Sequence, residues 1–239
     1  MRLLVLLIFS IAANTMIAQI NLSKLKSSAK KAQEVINSSE LKHGDVVKGL
    51  KEALIVGATN SSADASQKGG FYNNSLIRIP FPEDAEKMKT TLIKVGMQTQ
   101  VNHFEKTLNE AAEDASNYAK DIFIDAVKNM SINDAMAILK GNDNAATNYL
   151  KKQTSKELRV KFKPVVKISI EKVHLTKYWS SLVNRYNAIP LTKEVNADLE
   201  DYITNEAIGG LFVLIAKEEK NIRNNPKARV SEILQKVFK

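Results

Sequence analysis

Between Val101 and Ile122 apolar residues return alternately every three and four positions: Val101, Phe104, Leu108, Ala111, Ala115, Tyr118 and Ile122. A strand alternates with a period of two, so only an α-helix gathers these residues on one face. The row predicts one long helix from Gln98 to Met130. A second stripe, Ala112, Ala119, Phe123 and Ala126, widens the apolar face, and its alanines admit a neighbouring helix closely. The opposite side lacks the charge pairing of a lone coiled coil, so this is the central helix of a bundle. Helix breakers are scarce, with 9 Gly and 5 Pro in 239 residues. Cysteine is absent, which excludes a disulfide scaffold, a Cys-ligated zinc or iron–sulfur site and a thiol nucleophile.

The rest of the chain reads the same way. Ser39 caps a helix with Val47, Leu50, Leu54 and Gly57 on one side, and Thr59 to Gly70 has the Asn, Ser and Gly content of a loop. Ile79-Pro80-Phe81-Pro82 holds the backbone extended, and Glu83-Asp84 open a new helix. Ser131 and Asp134 form a capping box, and Gly141 ends the helix it starts. Asp143 caps a helix through Leu150, Leu158 and Phe162, with Pro164 marking a break or a new first turn. Further helices hold Trp179 before Pro190, run from Asp198 to Arg223, and follow Asn225-Pro226 to the end. No long linker and no repeat divide the chain. The expected fold is all-α, a single bundle-like domain over residues 39–239 of about eight helices with one short Pro-rich extended segment.

Ahead of that domain, Met1-Arg2 precedes an apolar run from Leu3 to Ala13, with Ser10 as its one polar member. A positive start, a short apolar core and small residues describe a secretory signal peptide, expected to be cleaved after Ala18. The run is too short for a transmembrane helix, which needs about 20 apolar residues, and no span is expected in the mature chain. Residues 19–38, rich in Lys, Ser and Gln, form a polar lead-in. The net charge of +9 falls to +8 once Arg2 is lost. These features predict a periplasmic or secreted protein, stabilised by its packed core because it has no disulfides to draw on.

Gly49-Leu-Lys-Glu-Ala-Leu54, Gly70-Phe71 with Ile79-Pro80-Phe81-Pro82, and Asn109-Glu-Ala-Ala-Glu113 recur in an order and spacing that resemble a bacterial exported family. So do Met130 with Asp134-Ala135, Gly141, Ala145-Ala-Thr-Asn-Tyr149, Phe162-Lys-Pro164 and Gly210-Leu-Phe212. Glu218-Glu219, Ile222-Arg223, Pro226, Ala228-Arg229 and Val237-Phe238 complete the pattern. The chain from about residue 40 is identified by these motifs as resembling the domain of unknown function family numbered 4197. It departs from that pattern at Glu110, where the family motif reads Asn-Arg-Ala-Ala-Glu. The resemblance implies an exported, mostly helical protein and carries no activity with it.

Three clusters are candidate sites. Glu110, Glu113, Asp114, Asn117 and Asp121 share one side of the central helix, either as a hard-cation or acid/base site or as a solvated face paired with Lys106 and Lys120. Arg223 and Arg229 stand out because only 6 of 35 basic residues are arginine, and arginine clamps carboxylate or phosphate bidentately. Glu219 and Arg223 stand four apart, the spacing of an ordinary helix ion pair, and the alternatives are an anion pocket of the two arginines or a buried Arg223–Glu113 pair joining two helices. From Lys151 to Lys167 seven cations, Lys152, Lys156 and Arg159 among them, face a single Glu157. Such a face attracts anionic lipid, lipopolysaccharide or wall polymer. Nucleic acid is not expected, since no aromatic pattern accompanies the lysines. No His-Glu-x-x-His, Gly-x-Ser-x-Gly or phosphate-binding loop is present, and neither metal nor cofactor is expected.

The leading expectation is a non-enzymatic helical module that binds an anionic envelope component through Lys152, Lys156, Arg159, Arg223 and Arg229. A hydrolase using Glu113, Asp134 or Asp143 with Arg223 is the alternative, together with a helical carrier of an apolar ligand. The first alternative requires those side chains to meet in one cleft.

Overall fold

The helices follow apolar rows of helical period, and Ser131 and Asp198 each cap the start of one with a side chain. The computed structural model describes residues 43–192, 195 and 198–225. Eight α-helices follow one another: α1 (His43–Ser66), α2 (Glu86–Lys94, after a short 3-10 turn Glu83–Ala85), α3 (Gln98–Ser116), α4 (Ala119–Lys128), α5 (Ile132–Lys140), α6 (Ala145–Lys172), α7 (Leu175–Asn187) and α8 (Leu199–Asn224). There is no strand among the described residues, and the fold is all-α as the periodicity predicts. The signal segment 1–18, the lead-in 19–38 and the final helix with Arg229 lie outside the described residues. Of the unit Met1–Val46 only the opening turn of α1 is described, and the packing below concerns Val47 onward.

The centre is built by α3, α6 and α8, which pack against one another, with α6 against α8 the most extensive contact. The sequence row on α3 is the reason: Val101, Phe104, Leu108, Ala111 and Ala115 are all buried. Helix α7 covers α2 and α3, and α4 and α5 lie against α6. Phe104 anchors one end, its ring centroid 5.0 Å from Phe81 and 5.1 Å from Trp179.

Four expectations are corrected. The row from Gln98 to Met130 is two helices. After Ala115 the pattern slips by one residue, so that Tyr118 is 56% exposed while Ala119, Ile122 and Phe123 are buried. The Ser116 hydroxyl donates to the Ala112 carbonyl at 2.8 Å and the Asn117 amide to Asp114 at 3.0 Å, local bonds that compete with helix continuation. Next, α1 continues through Thr59 to Ser66, because Ser61, Ser62 and Ala65 are small enough to be buried side by side. Pro164 neither breaks nor starts α6. It removes one backbone donor, but Phe162 and Val166 on either side are buried and hold the helix through it. Finally, α6 is preceded by Asn144, and Asp143 is exposed in the turn before it.

The Pro-rich segment is extended, with Ile77, Ile79 and Phe81 turned inward and Arg78 and Pro80 outward. Two glycines let this stretch lie close to the helices. A Cβ on Gly70 would collide with the carbonyls of Asp64 and Ala65 in α1, and one on Gly210 in α8 would lie 2.8 Å from Phe71 Cε1.

Candidate functional site

Glu105, Asn109 and Glu113 stand one turn apart on α3 and are all buried. Together they hold the segment from Gly69 to Ile79. Glu113 accepts the backbone N–H groups of Gly69 at 3.0 Å, Phe71 at 3.1 Å and Tyr72 at 3.2 Å. Asn109 accepts from the Ile79 N–H at 2.8 Å and donates to the Ile79 carbonyl at 2.9 Å. Glu105 takes Arg78 at 3.1 Å and Lys89 at 2.8 Å. A segment without a strand partner thus finds its hydrogen bonds on a helix. Glu113 is a loop clamp.

Arg223 lies elsewhere and does not meet Glu113, which corrects the expected pair. It binds Glu219, one turn back on α8, through Nε at 3.0 Å and a terminal nitrogen at 2.8 Å, and donates to the Ile138 carbonyl at 2.9 Å. Glu219 in turn accepts the N–H of Ala146 at 3.0 Å, the N–H of Thr147 at 2.8 Å and the Thr147 hydroxyl at 2.7 Å. Asn144 supplies no side-chain cap to α6, so a glutamate from α8 caps it instead. The hollow beneath this pair, lined by Leu50, Ala53, Leu54 and Ile222, holds about 10 Å³. That is no more than one water molecule needs and leaves no room for an apolar cargo.

The remaining carboxylates are also committed to local structure. Asp134 completes the capping box: it accepts the Ser131 N–H at 3.2 Å and the Ser131 hydroxyl at 2.6 Å, and the Ser131 oxygen accepts the Asp134 N–H at 3.1 Å. The Ser131 hydroxyl holds its carboxyl below the usual range. Asp114 binds Lys172 at 2.8 Å and Ser169 at 2.7 Å. Glu113, Asp134 and Arg223 are thus each bonded to a different part of the chain, and Asp143 is exposed in a turn.

The outer face of α6 is different. Buried Leu150, Thr154, Leu158, Phe162, Val166 and Ile170 follow one another every fourth residue. Two residues away, about 200° around the helix, lies a second four-residue row: Lys152, Lys156, Val160, Pro164 and Ile168, all exposed. Val160 is 67% and Ile168 62% exposed. Lys163 and Lys167 flank the row on one side and Lys161 on the other. A groove of about 400 Å³ runs beside it, lined by Arg159, Val160, Lys163, Pro164, Lys167 and Glu200.

Part of this charge is balanced within the protein. Asp201 on α8 binds Lys163 at 2.6 Å and Arg159 at 2.9 Å, and Arg159 also reaches Asn205. The Lys163 bond lowers the Asp201 carboxyl and raises the Lys163 ammonium relative to their ordinary values. Lys161 pairs with Glu157 at 3.2 Å. Lys151, Lys152, Lys156 and Lys167 have no ion-pair partner among the described residues. On the far side of Asp201 a groove of about 430 Å³ is acidic, with Glu83, Asp84, Asp198 and Glu206 around Tyr202. Burial raises Glu206 and Tyr202 above their ordinary values.

Sequence reasoning identified the α6 cations but missed Asp201 and the exposed apolar row. Its signal was present as a second four-residue spacing, Val160, Pro164 and Ile168, set between the members of the buried one.

No curated protein and no solved structure matches the chain. A family model described as a protein of unknown function, DUF4197, matches residues 40–239, and its span includes Asn109, Glu113, Glu219 and Arg223, the residues that hold the fold together. The chain belongs to the DUF4197 family.

Proposed function

We propose that this protein is an exported, non-enzymatic module of the bacterial cell envelope that binds an anionic envelope component through the outer face of α6. The observation that carries this reading is the set of exposed lysines on one helix, Lys151, Lys152, Lys156 and Lys167, which make no ion pair among the described residues, Lys152 feeling only the more distant charge of Asp134. Unpaired surface cations on a rigid helix make a fixed positive field, which concentrates anionic partners. Export rests on the Met1–Ala18 segment. Among the described residues no helix is long and apolar enough to cross a membrane, so a partner at the envelope is met at the protein surface.

The test has two parts. Expressed from its full sequence in a bacterium, the protein should lose residues 1–18 and appear in the periplasmic or secreted fraction. The processed chain should sediment with anionic vesicles or wall polymer at about 0.1 M salt and be released at about 1 M, where the Debye length shrinks from about 10 to 3 Å. A chain retained in the cytoplasm, or one that associates with neither partner at low salt, would overturn the proposal.

A further inference from the structure

We infer that the anionic partner is a lipid bilayer surface, on which α6 lies with Val160, Pro164 and Ile168 in the interfacial layer and its lysines at the level of the phosphates; this rests on the α6 reading above and names its ligand. The argument begins with the two rows of α6. The buried row ties the helix to α3 and α8, so the outward row is held rigidly and cannot turn its apolar members inward. Val160, Pro164 and Ile168 then form a continuous ridge over eight residues, about 12 Å of helix. Scattered exposed apolar residues are ordinary, but three in line with lysines beside them are a patch. A soluble polyanion gains nothing from such a ridge. A bilayer interface accepts short apolar side chains and offers phosphates a few ångströms higher, where Lys stems reach while their ammonium groups stay hydrated.

Charge places the same surface. Lys152 and Lys156 extend the ridge at its N-terminal end, and Lys161 and Lys167 stand to either side. Arg159, Lys163 and Lys167 line the groove next to Pro164 against the single carboxylate of Glu200, so its lining is net positive toward a phosphate headgroup. Asp201 balances Arg159 and Lys163 from the α8 side, which leaves Lys156 and Lys167, and Lys152 with Asp134 near it but beyond ion-pair distance, as the cations with most to gain from a phosphate. Glu157 and Glu171 border the ridge at its two ends and limit how far it extends.

The experiment uses the processed chain with vesicles of phosphatidylglycerol in phosphatidylcholine, vesicles of phosphatidylcholine alone, and immobilised polyphosphate as a polyanion without a bilayer. Wild type should sediment with the anionic vesicles and not with the neutral ones. The Val160→Ser/Ile168→Ser variant, altered at exposed sites, should melt like wild type, lose about tenfold in vesicle partitioning and bind polyphosphate unchanged. The Lys152→Gln/Lys156→Gln/Lys167→Gln variant should lose on the order of 100-fold on vesicles and weaken on polyphosphate as well. If the serine variant partitions like wild type while the glutamine variant fails, the bilayer assignment is overturned and the anionic-component reading stands. If wild type binds polyphosphate but no vesicle, the result is the same. If it binds neither, both readings fall.

Discussion

Glu113 and Glu219 are both buried carboxylates on core helices, and both receive backbone N–H groups from another part of the chain. They differ in where the compensating charge comes from. Glu219 has a guanidinium 2.8 Å away, and the Arg223 side chain is itself only 11% exposed. Glu113 is held by three amide dipoles from a loop, with Lys68 and Lys106 at the rim of its pocket. A salt-bridged carboxylate in the interior fixes two elements at once and fails when its partner is removed. An amide-bound carboxylate organises a loop, and its loss should be felt there first. The contrast teaches that a buried carboxylate can hold a fold together in two ways, one by ion pairing and one by collecting loop amides.

The largest effect should come from breaking the Glu219 side. Arg223→Met removes the cation and leaves a carboxylate buried among Leu50, Ala146 and Ile222. Unfolding in urea should show a loss of about 3–5 kcal/mol. Adding Glu219→Gln to that variant removes the stranded charge but keeps one oxygen, enough for the Ala146 or the Thr147 N–H and not both, so the double variant should recover part of the loss. If the double variant is less stable than Arg223→Met alone, Arg223 is not there to neutralise Glu219 and the comparison collapses.

Glu113→Gln should cost less, about 1–3 kcal/mol. Glutamine offers a single acceptor oxygen, whereas Glu113 uses Oε2 for Gly69 and Oε1 for Phe71 and Tyr72, so one set of N–H groups would meet an NH₂ donor. Amide hydrogen exchange should accelerate at residues 69–72 more than in α6. Arg223→Met should show the reverse, with Ala146 and Thr147 losing protection first. Identical exchange patterns in the two variants would mean that the two carboxylates share one cooperative role.

How much of this was legible in the sequence divides along the same line. Class and most helix boundaries are dictated by local patterns, so the Val101–Ala115 row, the Ser131 capping box and the Gly141 stop appear where expected. The break at Asn117 depends on which of Tyr118 and Ala119 faces the core, and a 3-4 row accommodates either. Pro164 is tolerated because buried neighbours hold α6 on both sides of it, a tertiary effect with no local signature. The Asn109–Glu113 spacing shows that both residues share a helix face, but not that the face meets a backbone segment that starts at Gly69, 44 residues before Glu113. Arg223 and Glu219 were visible as neighbours one turn apart. Their pairing as an ordinary i,i+4 ion pair is local and forms as the spacing suggests, whereas a Glu113 partner would require two helices to meet at that point.

The smallest effect belongs to a carboxylate outside this pair, and it measures how little a half-buried one contributes. Asp114 on α3 bonds Lys172 and Ser169 on α6, and the Lys172 bond holds its carboxyl below the ordinary value of 3.8. Because the folded form then binds its proton less readily than the unfolded chain, the contribution is complete above the unfolded pKa. It fades as pH falls through the lowered folded value. Asp114→Asn should therefore reduce stability at pH 7 by less than about 1 kcal/mol, since solvent screens the pair. The difference from wild type should shrink as the pH is taken below the ordinary carboxyl range and the folded carboxyl gains its proton. Denaturant midpoints of the two proteins measured from pH 7 downward decide it. A gap that persists at the acid end would assign the effect to the Ser169 hydrogen bond and helix packing rather than to charge, and would leave α3 and α6 joined without an electrostatic contribution at that point.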